Sequence, residues 1–157
     1  LGLMYMPPPE TALREWRRAL KGGGRVAVAV FSTPDRNPWG AAPASIIRQH
    51  AQLPHPVPGQ PGPFSLGGPG VLEDVFKRSG FANPEVRAVL ALHRAASASE
   101  YVKVAREAFG GFNAMMAHLS PQACEAAWND IESSMCSFEF GDGFEAPGEC
   151  LVAVATK

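Results

Sequence analysis

The sequence predicts an α/β fold, and three observations predict it. "RVAVAVF" and "CLVAVATK" read as apolar strands, and "NPEVRAVLALHR", around 84–93, alternates weakly and reads as a third. Amphipathic helical patterns fill the intervals between them, as in a sheet whose strands are joined through helices. Glycine and proline mark the joints, most visibly in "LKGGGR" and in "PHPVPGQPGPFSLGGPG".

The elements follow in order. In "PPPETALREWRRAL" the residues Ala12, Leu13, Trp16, Ala19 and Leu20 share one helical face, and Pro9 suits a first turn. Gly22 to Gly24 end that helix. A phosphate-binding glycine loop runs from a strand into a helix, so that helix N-terminal amides face the anion. Here the order is helix, glycines, strand, and the end on offer is the carbonyl end, which repels anions. The glycines therefore turn the chain. "RVAVAVF" reads as a strand buried on both faces, in the middle of a parallel sheet. "AAPASIIRQHAQL" permits a short helix, and residues 54–70 form a Pro/Gly-rich loop, long enough to be a lid or a linker. "VLEDVFKRSGF" is a helix burying Val71, Leu72, Val75 and Phe76 and closed by Gly80. Ser97 and Glu100 form a capping box. It opens a helical stretch over 97–136 in which Tyr101, Ala105, Ala108, Phe109, Phe112, Met116 and Leu119 line one face. Ser120 and Pro121 then start another helix, with Cys124, Ala127, Trp128, Ile131 and Met135 inward. "FEFGDGFEAPGE" reads as a turn region, and the last strand follows.

Composition removes several function classes. With 157 residues, 46% hydrophobic and 18% charged, the chain is globular rather than disordered. Its net charge is −1 and its 14 Lys and Arg are scattered, so nothing predicts a nucleic-acid partner. Uninterrupted apolar runs such as Val26 to Phe31 are far too short for a membrane span. Cys124, Cys136 and Cys150 are odd in number with no paired spacing, which suits buried thiols in a reducing, cytoplasmic setting. His50, His55, His93 and His118 have no partner at metal-ligand spacing and read as incidental, although His50 or His55 could serve as a base. Glu139, Asp142 and Glu145 lack the spacing of a calcium loop. No metal is expected. The first residues, "LGLMYM", are apolar as if the chain were entered partway through a domain.

The stretch "LGLMYMPPPETALREWRRALKGGGRVAVAVFSTPDRNPW" resembles the second half of class I S-adenosylmethionine-dependent methyltransferases. The likeness is to the small-molecule (type 11) branch that includes the ubiquinone/menaquinone-biosynthesis type. Leu1 to Pro7 are similar to the text after that family's strand four, and Arg17 to Arg25 to its "RRVLKPGGR", with Gly22 in the place of proline. "VLEDVFKRSGF" is similar to its next helix, with Ser79 in the place of alanine. The resemblance implies the C-terminal half of one Rossmann-like methyltransferase domain over 1–157. Its strands would order five, seven, six, seven lying antiparallel between the others, with helices inserted between six and seven.

The resemblance also implies a function. The parent protein would transfer a methyl group from S-adenosylmethionine to a small, apolar molecule. Alignment and a dry pocket matter more there than a catalytic side chain, and none is singled out. Leu3, Met4 and Tyr5 would pass beside the donor, the alternative for Leu3 and Met4 being plain core. Phe31, Asn37 and Trp39 would lie at the acceptor, on the carboxyl edge where α/β sheets place ligands. The family's G-x-G-x-G loop after a strand does not occur in these residues, so S-adenosylmethionine is not expected to bind this chain alone, and the chain alone should be inactive. A competing reading is a non-catalytic module whose open strand edge pairs with a second copy or another chain. A small ligand-binding α/β domain is a third.

Overall fold

The computed structural model describes residues 1–57 and 59–157; Pro58, within the Pro/Gly-rich loop, lies outside the described residues. The chain forms two compact units. The first comprises 1–36, 56–91 and 149–157, and the second 37–55 and 92–148. No helix among the described residues is long and apolar enough to cross a membrane.

The first unit is a three-stranded sheet with two helices. A 3-10 turn, Leu3–Tyr5, leads into α1 (Pro9–Ala19), followed by β1 (Arg25–Phe31), α3 (Val71–Arg78), β2 (Ala82–Leu90) and β6 (Glu149–Thr156). The strand order is β1–β6–β2, with β6 antiparallel to both neighbours. The register pairs Val28 with Ala153 and Val30 with Leu151, and Val86 meets Ala153 from the other side. Side chains alternate across a strand. Val28, Val30, Ala153 and Ala155 therefore share one face, where they bury against Leu13 of α1 and Leu72, Val75 and Phe76 of α3. Alanines on the central strand keep that face shallow enough for both helices to seat on it. The opposite face carries Ala27, Ala29, Val152 and Val154, none of them fully buried.

Two expectations change here. The run 25–31 is not the middle of a parallel sheet. It is paired along one edge only among the described residues, and antiparallel. Its composition misled because alanine, small and apolar, serves at half-exposed positions as readily as at buried ones. The second strand also runs over 82–90 rather than 84–93. Asn83 takes φ +48 and the register shifts between Ala82 and Glu85, so a bulge admits the earlier start.

The triple glycine behaves as its order predicts. Gly24 N–H donates to the Lys21 carbonyl (2.9 Å) and Gly23 sits at φ +74, a turn that favours glycine. The carbonyl end of α1 receives a cation: Lys157 Nζ donates to the Leu20 carbonyl at 2.6 Å and the Arg18 carbonyl at 3.3 Å. Gly67 is required for another reason. A Cβ there would stand 2.2 Å from the Ser32 carbonyl oxygen, so only glycine lets the loop touch the end of β1.

The second unit is helical with a small sheet. It contains α2 (Pro38–His50), β3 (His93–Ala95), α4 (Ala98–Ala108), α5 (Gly110–Met115), α6 (Pro121–Met135), β4 (Glu139–Phe140) and β5 (Gly143–Ala146). Ser97 Oγ accepts from Glu100 N–H (3.1 Å) and Ser120 Oγ from Ala123 N–H (3.2 Å), so both caps read from sequence are formed. His93 belongs to β3, beside β5, and the residues read as a turn after 138 form the β4–β5 hairpin, with Gly141 at φ +55. The long stripe from Tyr101 to Leu119 is broken at Phe109, and Ala108 is exposed. The thiols also differ from expectation: Cys136 is exposed and Cys124 and Cys150 are half-buried.

Candidate functional site

The sequence-derived residues fall into two groups, one in each unit. In the first unit, Leu3 and Met4 are buried in the core, while Tyr5, the next residue of the same turn, is 53% exposed. Partial burial still raises the Tyr5 phenol above its ordinary pKa. The Met4 carbonyl accepts two hydrogen bonds, from Gly62 N–H (3.0 Å) and from Ser65 Oγ (2.9 Å). The second half of the Pro/Gly-rich loop is thereby pinned to the turn.

Beside that junction lies a cavity of about 460 Å³, a size that suits a small organic molecule. Met4, Met6, Pro61, Leu66, Val71 and Val75 give it apolar walls. Its polar feature is an ion pair, in which Arg78 donates to Glu10 Oε1 from Nη2 at 2.9 Å and from Nε at 3.2 Å. Of the residues assigned to the donor by resemblance, Met4 lines this cavity; Leu3 and Tyr5 do not. Phe31, at the end of β1, pairs with Cys150 and sets its ring 6.4 Å from Phe64.

The second unit gathers Asn37 and Trp39 with partners that sequence reasoning passed over. Asn37 is wholly buried at the start of α2, and the Trp39 indole N–H donates to its Oδ1 at 3.1 Å. His93 stacks on the Trp39 ring with centroids 3.9 Å apart and planes at 24°. Burial lowers the His93 pKa below the ordinary histidine value, so the imidazole is neutral at pH 7. Tyr101 donates its hydroxyl to the Trp39 carbonyl, and burial drives its pKa far above the usual phenol range. Phe109 approaches the other rings, 5.7 Å from Trp39 and 5.6 Å from Phe112. The arrangement is an aromatic cluster on a hydrogen-bonded Asn37 base. Its rings pack on one another, and its one titratable imidazole, His93, is neutral at pH 7.

No spacing rule points from residue 39 to residue 93. The signal that was available, a histidine ending an apolar run, was read as the tail of the preceding strand. His50 has its own partner, with Nε2 2.7 Å from Asp130 Oδ2, and joins α2 to α6. Among the described residues no group of three or more His, Cys, Asp or Glu is placed to hold a metal ion.

No family model matches the sequence, and no curated protein matches it. Solved structures do. A protein of Bacillus halodurans C-125, provisionally assigned as a methyltransferase, matches all of this chain with a TM-score of 0.54 at 12% identity. Phosphoethanolamine N-methyltransferase 2 of Haemonchus contortus, solved with phosphomonomethylethanolamine and S-adenosylhomocysteine, matches over 99% of this chain with a TM-score of 0.44 at 14% identity. The chain spans 66% of the first of these proteins and 32% of the second. At such identities the likeness concerns the fold. This chain has a mixed α/β fold similar to that of the Bacillus protein.

Proposed function

We propose that this chain is the C-terminal part of an S-adenosylmethionine-dependent methyltransferase of the small-molecule branch, a cytoplasmic enzyme acting on a small, apolar acceptor. The observation that supports it best is the sheet. The last strand, β6, is inserted antiparallel between β1 and β2, with α1 and α3 on one face. That suits β1, β6 and β2 as strands five, seven and six of a Rossmann-like methyltransferase domain, and the likeness to the Bacillus structure supports it. Leu3, Met4 and Tyr5 would border the donor, and Phe31, Asn37 and Trp39 the acceptor.

The described residues do not by themselves suit the donor. The triple glycine stands at the carbonyl end of α1, and that end is already held by the Lys157 ammonium. A donor carboxylate would find no row of helix N-terminal amides there. We therefore derive no step through S-adenosylmethionine from these residues, and we read the chain as supplying part of the acceptor side.

Calorimetric titration tests this. The 157-residue chain should give no heat with S-adenosylhomocysteine. The full product of the gene that encodes it should bind at micromolar concentration and transfer a labelled methyl group. Micromolar binding by the 157 residues would overturn the argument from the glycines. Failure of the full gene product to bind would overturn the methyltransferase reading.

A second reading has one observation in its favour. Among the described residues β1 is an edge strand, and 26–30 contain neither charge nor proline to discourage a further strand. This supports an interaction module that pairs with a second copy through that edge.

A further inference from the structure

The cavity beside the Met4 turn takes its walls from three elements of the first unit. Val71, Val75 and Arg78 line it from α3. Spaced four and three apart, they form one stripe of that helix, which ends in the cation. Pro61 and Leu66 line it from the loop, which the two hydrogen bonds to the Met4 carbonyl hold in place. Pro7, Pro8 and Pro9 lead into α1 and close the third side. Met4, Leu66 and Val75 are buried, so these walls are part of the core of the unit.

The charges in it are not those of an ordinary surface pair. The Arg78 side chain is 60% exposed, but that of Glu10 is only 17% exposed. A carboxylate set among proline, methionine and valine loses hydration that one ion pair only partly replaces. Both bonds from Arg78 fall on Glu10 Oε1, and Oε2 has no hydrogen-bond partner among the described residues. A guanidinium carries five N–H donors, and two are used here. The cavity thus sets an open acceptor beside spare donors, between apolar walls. The pair also selects the charge of a guest. An anion would meet the Glu10 carboxylate and a cation the Arg78 guanidinium. An uncharged hydroxyl meets neither repulsion, because it donates and accepts at once.

We propose that this cavity is a binding site for a small uncharged molecule with an apolar body and one hydroxyl, the hydroxyl donating to Glu10 Oε2 and accepting from Arg78. Small-molecule sites have this general form, apolar walls with a few polar groups that fix orientation. The site lies within the first unit, and its existence does not depend on methyl transfer.

Probes of one shape and three charges test it. Phenethyl alcohol, phenethylamine and phenylacetate are titrated separately into the 157-residue chain at neutral pH and followed by protein-observed NMR. Phenethyl alcohol should bind at millimolar concentration or below, as suits a ligand of its size, and should shift the amides of Leu66, Val71 and Val75. It should bind roughly tenfold more tightly than either ion. Glu10→Gln should cancel that preference and favour phenylacetate, since the guanidinium then lacks its carboxylate. A merely structural pair would change stability without changing the order of the probes. Met6→Trp, at a partly exposed lining position, should fill the cavity and abolish binding of all three, and it keeps the test intact should the glutamine variant fail to fold. Four results would overturn the proposal: no binding by any probe, an order in the wild type not led by the alcohol, an order unchanged by Glu10→Gln, or binding that survives Met6→Trp. The methyl donor and the full gene product have no part in these titrations, so failure here and failure of the methyltransferase reading are told apart.

Discussion

Trp39 has two readings that a pair of substitutions separates. As a packed residue it loses three things on replacement by alanine: the ring's burial, its stack with His93 and its contact with Phe109. Removal of a buried Trp or Phe costs about 3–5 kcal/mol in general. Trp39→Phe keeps most of the ring and the stack, and removes the N–H that Asn37 Oδ1 accepts at 3.1 Å. A hydrogen bond of this kind contributes about 0.5–1.5 kcal/mol net. The expected order is therefore wild type, Phe, Ala, with steps large enough to resolve by urea unfolding followed by far-UV circular dichroism. Since the chain has two compact units, the transition of the second unit is the one to follow, and a two-state fit is licensed only where probes coincide. If Trp39→Ala costs under about 1 kcal/mol, well short of a buried aromatic's usual share, the indole is not a structural part of its unit. The stacking argument would then fail.

Four further outcomes follow from the same geometry. His93 is held below its ordinary pKa by burial, so the unfolded state binds more protons in the window between that lowered value and about 6.5. Its contribution is complete above the window and is lost as pH falls through it, so the second unit should lose stability on acidification there, and His93→Gln should flatten that slope. Gly67→Ala would force a Cβ within 2.2 Å of the Ser32 oxygen; backbone must shift, and a loss of about 1–3 kcal/mol or more is expected from thermal melts. Ala27→Lys, on the exposed side of β1, should leave the melting temperature nearly unchanged and abolish any concentration-dependent dimer seen by size-exclusion chromatography. A dimer that survives it, or a wild type that is monomeric throughout, counts against edge pairing. Replacing Arg78 by Met should lose the pair with Glu10, whose side chain is only 17% exposed, at a cost of about 1–3 kcal/mol for the carboxylate left behind. A much larger loss would mean that the pair, rather than the apolar walls, holds the cavity open.

How much of this was legible depends on what each residue had to do. The helices at 9–19 and 71–78 were clear because each buries one narrow stripe, Leu13 in the first and Leu72, Val75 and Phe76 in the second. Period and burial then coincide. The capping serines 97 and 120 were legible because a cap is a local bond between neighbours in sequence. The burial of β1 was misread because Val-Ala alternation looks apolar on both faces, and only the register with β6 shows which alanines point away from the helices. Hairpin β4–β5 was missed because strands of two and four residues carry too few side chains to show a period. The break at Phe109 was hidden by an apolar stripe that continues on both sides of it, although the paired glycines were in plain view.

The candidate site was legible in part, and for a physical reason. Asn37 and Trp39 stood out because they follow a strand and a resemblance gave them a place. Their closest partners, His93, Tyr101 and Phe109, are 54 to 70 residues later in the chain and belong to three different elements or joints. A site of this kind is assembled by packing and leaves no fixed spacing behind, unlike a metal knuckle or a glycine loop. Methyl transfer would deepen the difficulty, since a reaction that asks mainly for alignment and dryness can be served by many apolar residues.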